Sequence, residues 1–211
     1  MSVLAAAGSS PIAFWYLSRG SGVVTLVLLT LTVALGVANF KRLRTRRIPR
    51  FVIDGIHRNA ALLSVVFLAI HVMSALADSF ASVDLTDVFL PFASSYSPLW
   101  IGLGALSVDL LLAVLVTSLL RRRIGHRIWR ATHWLAYASW PVALAHSLGA
   151  GTDAGTGWMT VLLILCLVTV AISVLARLAG RHGGPASPPP PAITPPERRR
   201  RAAAALKPIT S

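Results

Sequence analysis

Long apolar segments constrain this chain more than any other feature of its sequence. A helix that crosses the roughly 30 Å of hydrocarbon in a bilayer needs about 20 mostly apolar residues. The composition supports several such helices, since 55% of the 211 residues are hydrophobic and only 13% are charged, whereas soluble domains are about 25% charged. The sequence therefore predicts an all-α integral membrane protein, a bundle of about five transmembrane helices. Their predicted spans are residues 21–40, 57–77, 98–120, 131–149 and 157–179.

The distribution of charge predicts how these helices cross the membrane. The loops after the first and third spans are rich in Lys and Arg, whereas the loop after the second span carries Asp78, Asp84 and Asp87 and no basic residue. Basic loops stay in the cytoplasm, so we expect the N-terminus outside the membrane and the C-terminus in the cytoplasm. The net charge of +13 then reflects orientation, and it does not indicate a nucleic acid partner.

Two segments flank the predicted bundle at 21–179. Residues 1–20 are expected to form a short external segment, and they lack the basic start of a cleaved signal peptide. Residues 180–211 are rich in Pro and Arg, a composition typical of disorder. We expect a disordered cytoplasmic tail that is solvated or touches lipid headgroups, with a specific docking peptide as the alternative. The expected location is the cell membrane, such as a bacterial inner or plasma membrane, which the chain crosses several times.

Four histidines lie at the ends of two predicted spans. His57 and His71 flank the second span, and His133 and His146 flank the fourth. Ionisable residues within a membrane are costly and usually serve a function. On the predicted topology both spans run outwards. His57 and His71 are 14 residues apart on one span, and His133 and His146 are 13 residues apart on the other, which corresponds to about 20 Å of helix in each case. The histidines therefore form two levels: the basic-end pair, His57 with His133, and the acidic-end pair, His71 with His146.

The directions in which the rings point differ between the two spans. A step of about 14 residues returns to within about 40° of the same helix face, whereas a step of about 13 residues leaves two side chains about 140° apart. His57 and His71 therefore share a face. Pro141 lies between His133 and His146, and we expect a helix distortion near this proline to bring their rings into line.

Paired imidazoles at two depths are typical of haem sites. A haem iron accepts one axial ligand from each side of the macrocycle, so one histidine from each span can hold a haem at each level. A zinc site needs its ligands close to one point, and the single cysteine, Cys166, excludes disulfides and Cys-ligated clusters within the chain. A haem-free membrane scaffold, or a small transporter that relays protons, is the alternative, although Asp109 is the only acidic residue well inside a predicted span.

The histidine spacing resembles that of a known family. The pattern His-x13-His on one span and His-x12-His on a later one, which begins with Trp129, Arg130, His133 and Trp134, resembles the ferric reductase-like transmembrane domain. This family includes NADPH oxidases, ferric reductases and the haem-binding membrane subunit of a bacterial periplasmic methionine sulfoxide reductase system. The resemblance extends over roughly residues 19–149. It implies that the two pairs ligate two haems b and that electrons pass from a cytoplasmic donor to an external acceptor.

The sequence departs from the family in what surrounds the bundle. Full-length oxidases and reductases carry a cytoplasmic domain for flavin and NAD(P)H, whereas no glycine-rich dinucleotide motif follows the last predicted span here. Five spans in place of six indicate that the family's first span is missing. We therefore expect a cytochrome b-type electron-transfer subunit of an oxidoreductase. Its partners would be a cytoplasmic flavoprotein or reductase as donor, which would carry any flavin, and an external acceptor or periplasmic redox protein.

Several arginines are placed to bind the anionic propionates of haem. Arg58 and Arg130, together with Arg50, lie near the basic-end pair, and Arg19 is the one basic residue near the acidic-end pair. Aromatic residues near the span ends are assigned to the aromatic belt of the membrane interface. They are Trp15, Tyr16, Trp100, Trp129 and Trp158.

Overall fold

The computed structural model of the protein is all-helical over the residues that it describes, 11–40, 50–78 and 83–179. The predicted all-α architecture is therefore confirmed for this part of the chain. The predictions for the first ten residues, for most of the loop after the first span and for the tail after Ala179 fall outside the described residues. The helices are α1 (Pro11–Phe40), α2 (Arg50–Ala77), α3 (Leu85–Phe89), α4 (Pro98–Leu119), α5 (Arg121–Ile124), α6 (His126–His133), α7 (Leu135–Ala150) and α8 (Gly157–Ala179).

Four of the described helices, α1, α2, α4 and α8, are long and apolar enough to cross a membrane. They correspond to four of the five predicted spans, and α1 begins at Pro11 rather than at residue 21. The remaining predicted span is divided between α6 and α7, and α7 has only 16 residues, fewer than the roughly 20 that a full crossing needs. The described part of the protein is therefore a multi-pass membrane bundle in which one predicted span is interrupted.

The interruption lies at Trp134, where the helix tightens. The amide of Trp134 donates to the carbonyl of Ala131 at 3.2 Å, and the amide of Tyr137 donates to the carbonyl of Trp134 at 3.0 Å. Both bonds span three residues, as in a 3₁₀ turn, which winds the chain more tightly than an α-helix. Helix α7 then continues through Pro141. The distortion that we expected near Pro141 is thus found about two turns earlier, and it adds rotation between the two histidines of this segment.

Two antiparallel helix pairs, α1 with α2 and α4 with α7, form the frame of the bundle. Its buried core lies where α1, α7 and α8 meet. Trp140 of α7 packs there with Leu29 and Cys166, and its indole N–H donates to the Thr30 hydroxyl on α1 at 2.9 Å. This contact joins the two helix pairs at the centre of the bundle.

Two residues determine where helices begin near the histidines. Pro98 occupies the first turn of α4. Its fixed φ suits a helix start, and no helix carbonyl needs an N–H group from this position. Gly125 separates α5 from α6 and has a φ of 79°, in the left-handed region that favours glycine. The chain thereby turns from the arginine-rich α5 into the segment that carries His133.

Candidate functional site

The four membrane histidines meet in the two predicted pairs. In the basic-end pair the ring centres of His57 and His133 lie 6.5 Å apart, with 69° between the ring planes. In the acidic-end pair the ring centres of His71 and His146 lie 6.2 Å apart, with 77° between the planes. His57 and His71 belong to one continuous helix, α2, so about 21 Å of helix axis separates the two levels.

These separations fit two imidazoles that share one metal ion. A metal lies about 2.0–2.1 Å from an imidazole nitrogen, and a five-membered ring has a radius of about 1.1–1.2 Å, so two imidazoles on opposite sides of a metal have ring centres about 6.2–6.6 Å apart. Among the described residues no group of three or more His, Cys, Asp or Glu is placed to hold a metal ion. A pair alone suits a metal whose other ligands come from a macrocycle. The donor set therefore fits haem better than a zinc-type site.

Helix α1 anchors both histidines of α2 through its backbone. His57 Nδ1 donates to the carbonyl of Thr32 at 3.0 Å, and His71 Nδ1 donates to the carbonyl of Ser18 at 2.7 Å. A carbonyl accepts only from a protonated nitrogen, so each neutral ring carries its proton on Nδ1. Nε2 is then the atom available to a metal, and the carbonyl bond fixes the orientation of the ring.

Helix α4 anchors His146 in the same way. His146 Nδ1 donates to the carbonyl of Trp100 at 2.7 Å. The indole ring of Trp100 also packs against Gly149 of α7, where no room is left for a Cβ atom. Trp100 thus holds α4 and α7 together and orients a histidine, a role that its position near a span end did not reveal.

A glycine follows each of the three anchoring carbonyls by four residues. In a helix the residue four positions on donates its N–H to that carbonyl, so its side chain would stand beside the imidazole. A Cβ on Gly104 would lie 2.7 Å from His146 Cε1, and one on Gly22 would lie 3.0 Å from His71 Cε1. The missing side chain therefore lets the ring reach the carbonyl. The three glycines are Gly22, Gly36 and Gly104.

The fourth histidine, His133, is held differently. Its Nδ1 atom is buried and has no hydrogen-bond partner within the described part of the chain. Its ring stacks on Trp129, with ring centres 5.1 Å apart and planes 26° apart, and the Trp129 indole N–H lies 3.4 Å from the hydroxyl of Ser118 on α4. Trp129, which we assigned to the aromatic belt, therefore contacts a residue of the site.

The histidine pairs connect α2 to the other side of the bundle through side chains: His71 meets His146 of α7, and His57 meets His133 of α6. In the described ranges, α2 packs closely on α1, and α7 packs closely on α4. Helices α2 and α7 do not pack closely on each other within these ranges. The imidazoles thus meet between helices whose backbones stand apart. This is the arrangement that admits a flat ligand between two opposed rings.

Arg19 lies at the level of the acidic-end pair, next to the Ser18 carbonyl that anchors His71. Its guanidinium forms an ion pair with Asp153 and lies over the ring of Trp15, with Cζ 3.9 Å from the ring centre. Arg19 therefore lies at the predicted level, and its charge is paired with that of Asp153. Its role toward a propionate stays a prediction.

The arginines predicted for the basic end point away from the core. Arg58 and Arg130 are exposed, and Arg130 Nη2 lies 3.4 Å from His126 Nδ1. The side chain of Arg50 lies outside the described residues. The propionate roles of these arginines also stay predictions.

Arg177 of α8 is a basic residue near the site that the sequence analysis did not single out. Its Nη1 donates to the Tyr137 hydroxyl at 2.7 Å, and its Cζ lies 4.5 Å from the centre of the ring of Trp134, the residue after His133. A cavity of about 240 Å³ adjoins this cluster between α1, α7 and α8. The sequence signal for Arg177 was that it is an arginine within an apolar span. That signal is weak, because basic residues are common at the cytoplasmic ends of spans.

One comparison with known protein families finds a match. No curated protein and no solved structure matches the chain. The family model described as "Ferric reductase like transmembrane component" matches residues 21–144, more than half of the 211 residues. The matched segment contains His57, His71 and His133. The resemblance predicted from the histidine spacing is thereby confirmed, and the chain belongs to the ferric reductase-like transmembrane family of membrane redox proteins.

Proposed function

We propose that the protein is a membrane cytochrome b-type electron-transfer subunit that passes single electrons across the bilayer by means of two haems b. The basic-end pair would hold one haem and the acidic-end pair the other. The observation that carries this proposal is the distance between ring centres, 6.5 Å and 6.2 Å. Haem, when bound, supplies one-electron redox chemistry.

The protein's own part is to fix the ligands and to exclude other chemistry. The Nδ1 bonds of three histidines to carbonyls orient the rings and make Nε2 a stronger ligand. A haem held by both histidines of a pair would have no position free for a substrate, so the paired residues favour electron transfer over substrate binding. The buried apolar core around Trp140, a residue between His133 and His146 in the chain, would exclude water between the two levels.

The two levels would put one site near each face of the membrane. His57 and His71 are 14 residues apart on α2, and about 21 Å of helix covers most of the roughly 30 Å of hydrocarbon. With the N-terminus outside, as the basic loops indicate, the basic-end pair lies on the cytoplasmic side. Electrons would then come from a cytoplasmic flavoprotein or reductase and leave to an external acceptor or periplasmic redox protein. Lipid of the cell membrane, as in a bacterial inner membrane, would surround the bundle.

Arginines at both ends are proposed to bind the propionates. At the acidic end the proposed residue is Arg19, which adjoins an anchoring carbonyl of that pair. At the basic end we propose Arg177 ahead of the exposed Arg58 and Arg130, because Arg177 is partly buried and lies over the ring of Trp134, the residue that follows His133.

Electron transfer across the bilayer is tested in proteoliposomes. Haem-loaded protein is reconstituted into vesicles that contain ferricyanide, and dithionite is added outside. We expect reduction of the trapped ferricyanide to be fast in wild-type vesicles and to fall to the protein-free rate in His71→Ala and His133→Ala variants. His126→Ala is the matched control, because His126 is exposed and belongs to neither pair, and it should keep the wild-type rate.

Two results would contradict the proposal. One is a wild-type rate no faster than that of vesicles without protein. The other is a rate that stays unchanged when a histidine of either pair is replaced, because electrons would then cross without the paired ligands.

A further inference from the structure

A cavity of about 240 Å³ lies between α1, α7 and α8, and none of the four membrane histidines lines it. Among the described helices, α8 does not pack closely on any other, although Cys166 and Val170 of α8 reach the core through their side chains. The backbone of α8 therefore stands away from α1 and α7. The cavity is the part of this space that the side chains leave unfilled.

The cavity is closed at one end and open at the other. Of the residues that line it, Trp140 and Val170 are buried, whereas Trp134 and Leu178 are exposed. Trp134 follows His133 in the chain, so the open end lies at the level of the basic-end pair. From Leu178 back to Val170 the cavity extends along about 12 Å of helix, towards the middle of the bundle.

The polar groups of the cavity lie at its open end. Arg177 Nη1 donates to the Tyr137 hydroxyl at 2.7 Å, and the Arg177 guanidinium lies over the Trp134 ring. The other lining residues are aliphatic or aromatic, and none of the described residues that line the cavity is acidic. A guanidinium has five N–H donors and binds phosphate through two of them at once. The open end therefore favours an anion, and the closed end favours a hydrocarbon chain.

An amphiphile with an anionic headgroup matches this combination. Pockets for drug-sized ligands measure about 300–1,000 Å³, so the cavity is too small for a macrocycle or a whole lipid and suits one acyl chain. On the predicted topology its open end lies on the cytoplasmic side, where the headgroups of the inner leaflet lie and from which their chains point inwards. Basic pockets between membrane helices on this side bind anionic lipid headgroups. The occupant that fits is thus an anionic phospholipid of the inner leaflet.

We propose that this cavity binds one acyl chain of an anionic phospholipid, whose phosphate is bound by Arg177. The chain extends from Trp134 to Trp140 and fills the gap that separates α8 from α1 and α7. The lipid thereby holds α8 against the core. None of the histidines takes part, so this inference goes beyond the proposed function and does not require a haem. Because a guanidinium has five donors, Arg177 can serve a propionate at the same time.

Lipid binding is measured by native mass spectrometry of the full-length protein in a neutral detergent. The protein is titrated with phosphatidylglycerol, or with phosphatidylcholine that carries the same acyl chains and whose choline cation offsets the charge of its phosphate. We expect one tightly bound phosphatidylglycerol per chain and about tenfold weaker binding of phosphatidylcholine, because charged hydrogen bonds are the stronger ones. Glycerol 3-phosphate has the charge without the chains, so it should not compete.

Two substitutions test the two ends of the site, each with a matched control. Arg177→Gln should weaken the binding of phosphatidylglycerol about tenfold. Arg122→Gln removes a charge from the exposed α5 and should leave binding unchanged, because a neutral micelle has no anionic surface to attract that helix. Val174→Phe fills the cavity that Val174 lines and should weaken binding. Val168 is exposed on the same helix, so Val168→Phe should not.

Equal binding of the two lipids would overturn the inference, as would equal effects of the two glutamine variants or of the two phenylalanine variants. Competition by glycerol 3-phosphate would also overturn it, since the protein would then bind a free anion. The comparison of the two lipids uses the wild type, so it decides the question even if a variant does not fold. Haem per chain is measured in the same samples, and its absence would overturn the proposed function alone.

Discussion

An imidazole that binds a metal through one nitrogen is improved as a ligand by a hydrogen-bond acceptor at the other. In this protein, helix backbones place such an acceptor beside His57, His71 and His146. A backbone carbonyl does so without a buried carboxylate, which would be costly inside a membrane. The ring has room because the residue one turn further along is a glycine. A carbonyl and a glycine together therefore form one anchor for each of these rings.

Gly104→Ala tests this anchor. The added Cβ would lie 2.7 Å from His146 Cε1, so the ring must move away from its carbonyl. We expect the variant to lose the acidic-end haem and to keep the other, as measured by haem per chain and by the low-spin signals in electron paramagnetic resonance.

Gly20→Ala is the control for Gly104→Ala, because a Cβ on Gly20 would meet nothing within 4 Å. Both changes favour a helix by up to about 1 kcal/mol, so damage to the helix would not explain a loss of haem. Full haem content in Gly104→Ala would show that the close approach of ring and backbone is not needed.

At the residue scale the sequence shows the histidines but not their anchors. The spacing of the four histidines predicts which rings meet, because helix geometry is regular. Gly22 and Gly104 are visible as small residues that allow a close approach, yet only the structure shows that an imidazole takes the space. Every residue has a carbonyl, so no side-chain pattern distinguishes the one that Trp100 offers to His146.

At the scale of helices, Trp140 links the two helix pairs. It is 4% exposed, and it donates to the Thr30 hydroxyl at 2.9 Å, which in turn donates to the carbonyl of Leu26 at 2.8 Å. Water cannot replace such bonds inside a bilayer, so this chain of hydrogen bonds helps to fix α7 against α1. The distance between the opposed histidines depends on that placement.

Trp140→Phe removes the hydrogen bond while it keeps most of the packing. We expect the free energy of unfolding to fall by about 1–2 kcal/mol, as measured by denaturation in detergent micelles. Trp158→Phe is the control, because Trp158 is 54% exposed, and it should change the stability little. Equal effects of the two substitutions would argue against a special role for the Trp140 bond.

Hydropathy predicts the long helices of the bundle and fails at the interrupted one. Apolar length alone identifies α1, α2, α4 and α8, since each is long and apolar enough to cross the membrane. The tight turn at Trp134 has no such signature, because it involves contacts from elsewhere in the chain, such as the guanidinium of Arg177 over the Trp134 ring. A count of apolar residues along the sequence detects neither the turn at Trp134 nor the contact with Arg177.

At the scale of the whole molecule, a net positive charge lies at one level of histidines and a balanced ion pair at the other. The exposed arginines of α5 lie at the same end as His133, and the ion pair of Arg19 with Asp153 lies at the end of His71. The first end would meet a cytoplasmic donor and the second an external acceptor. Electron exchange at either end depends on the central claim that each pair holds one haem.

The number of haems per chain tests this claim most directly. Haem is quantified in the purified protein as its pyridine complex, beside a reduced-minus-oxidised visible spectrum. We predict two haems b per chain in the wild type, and one after both histidines of either pair are replaced by alanine. A protein without haem, or a haem content that is the same in the wild type and in both double variants, would contradict the account.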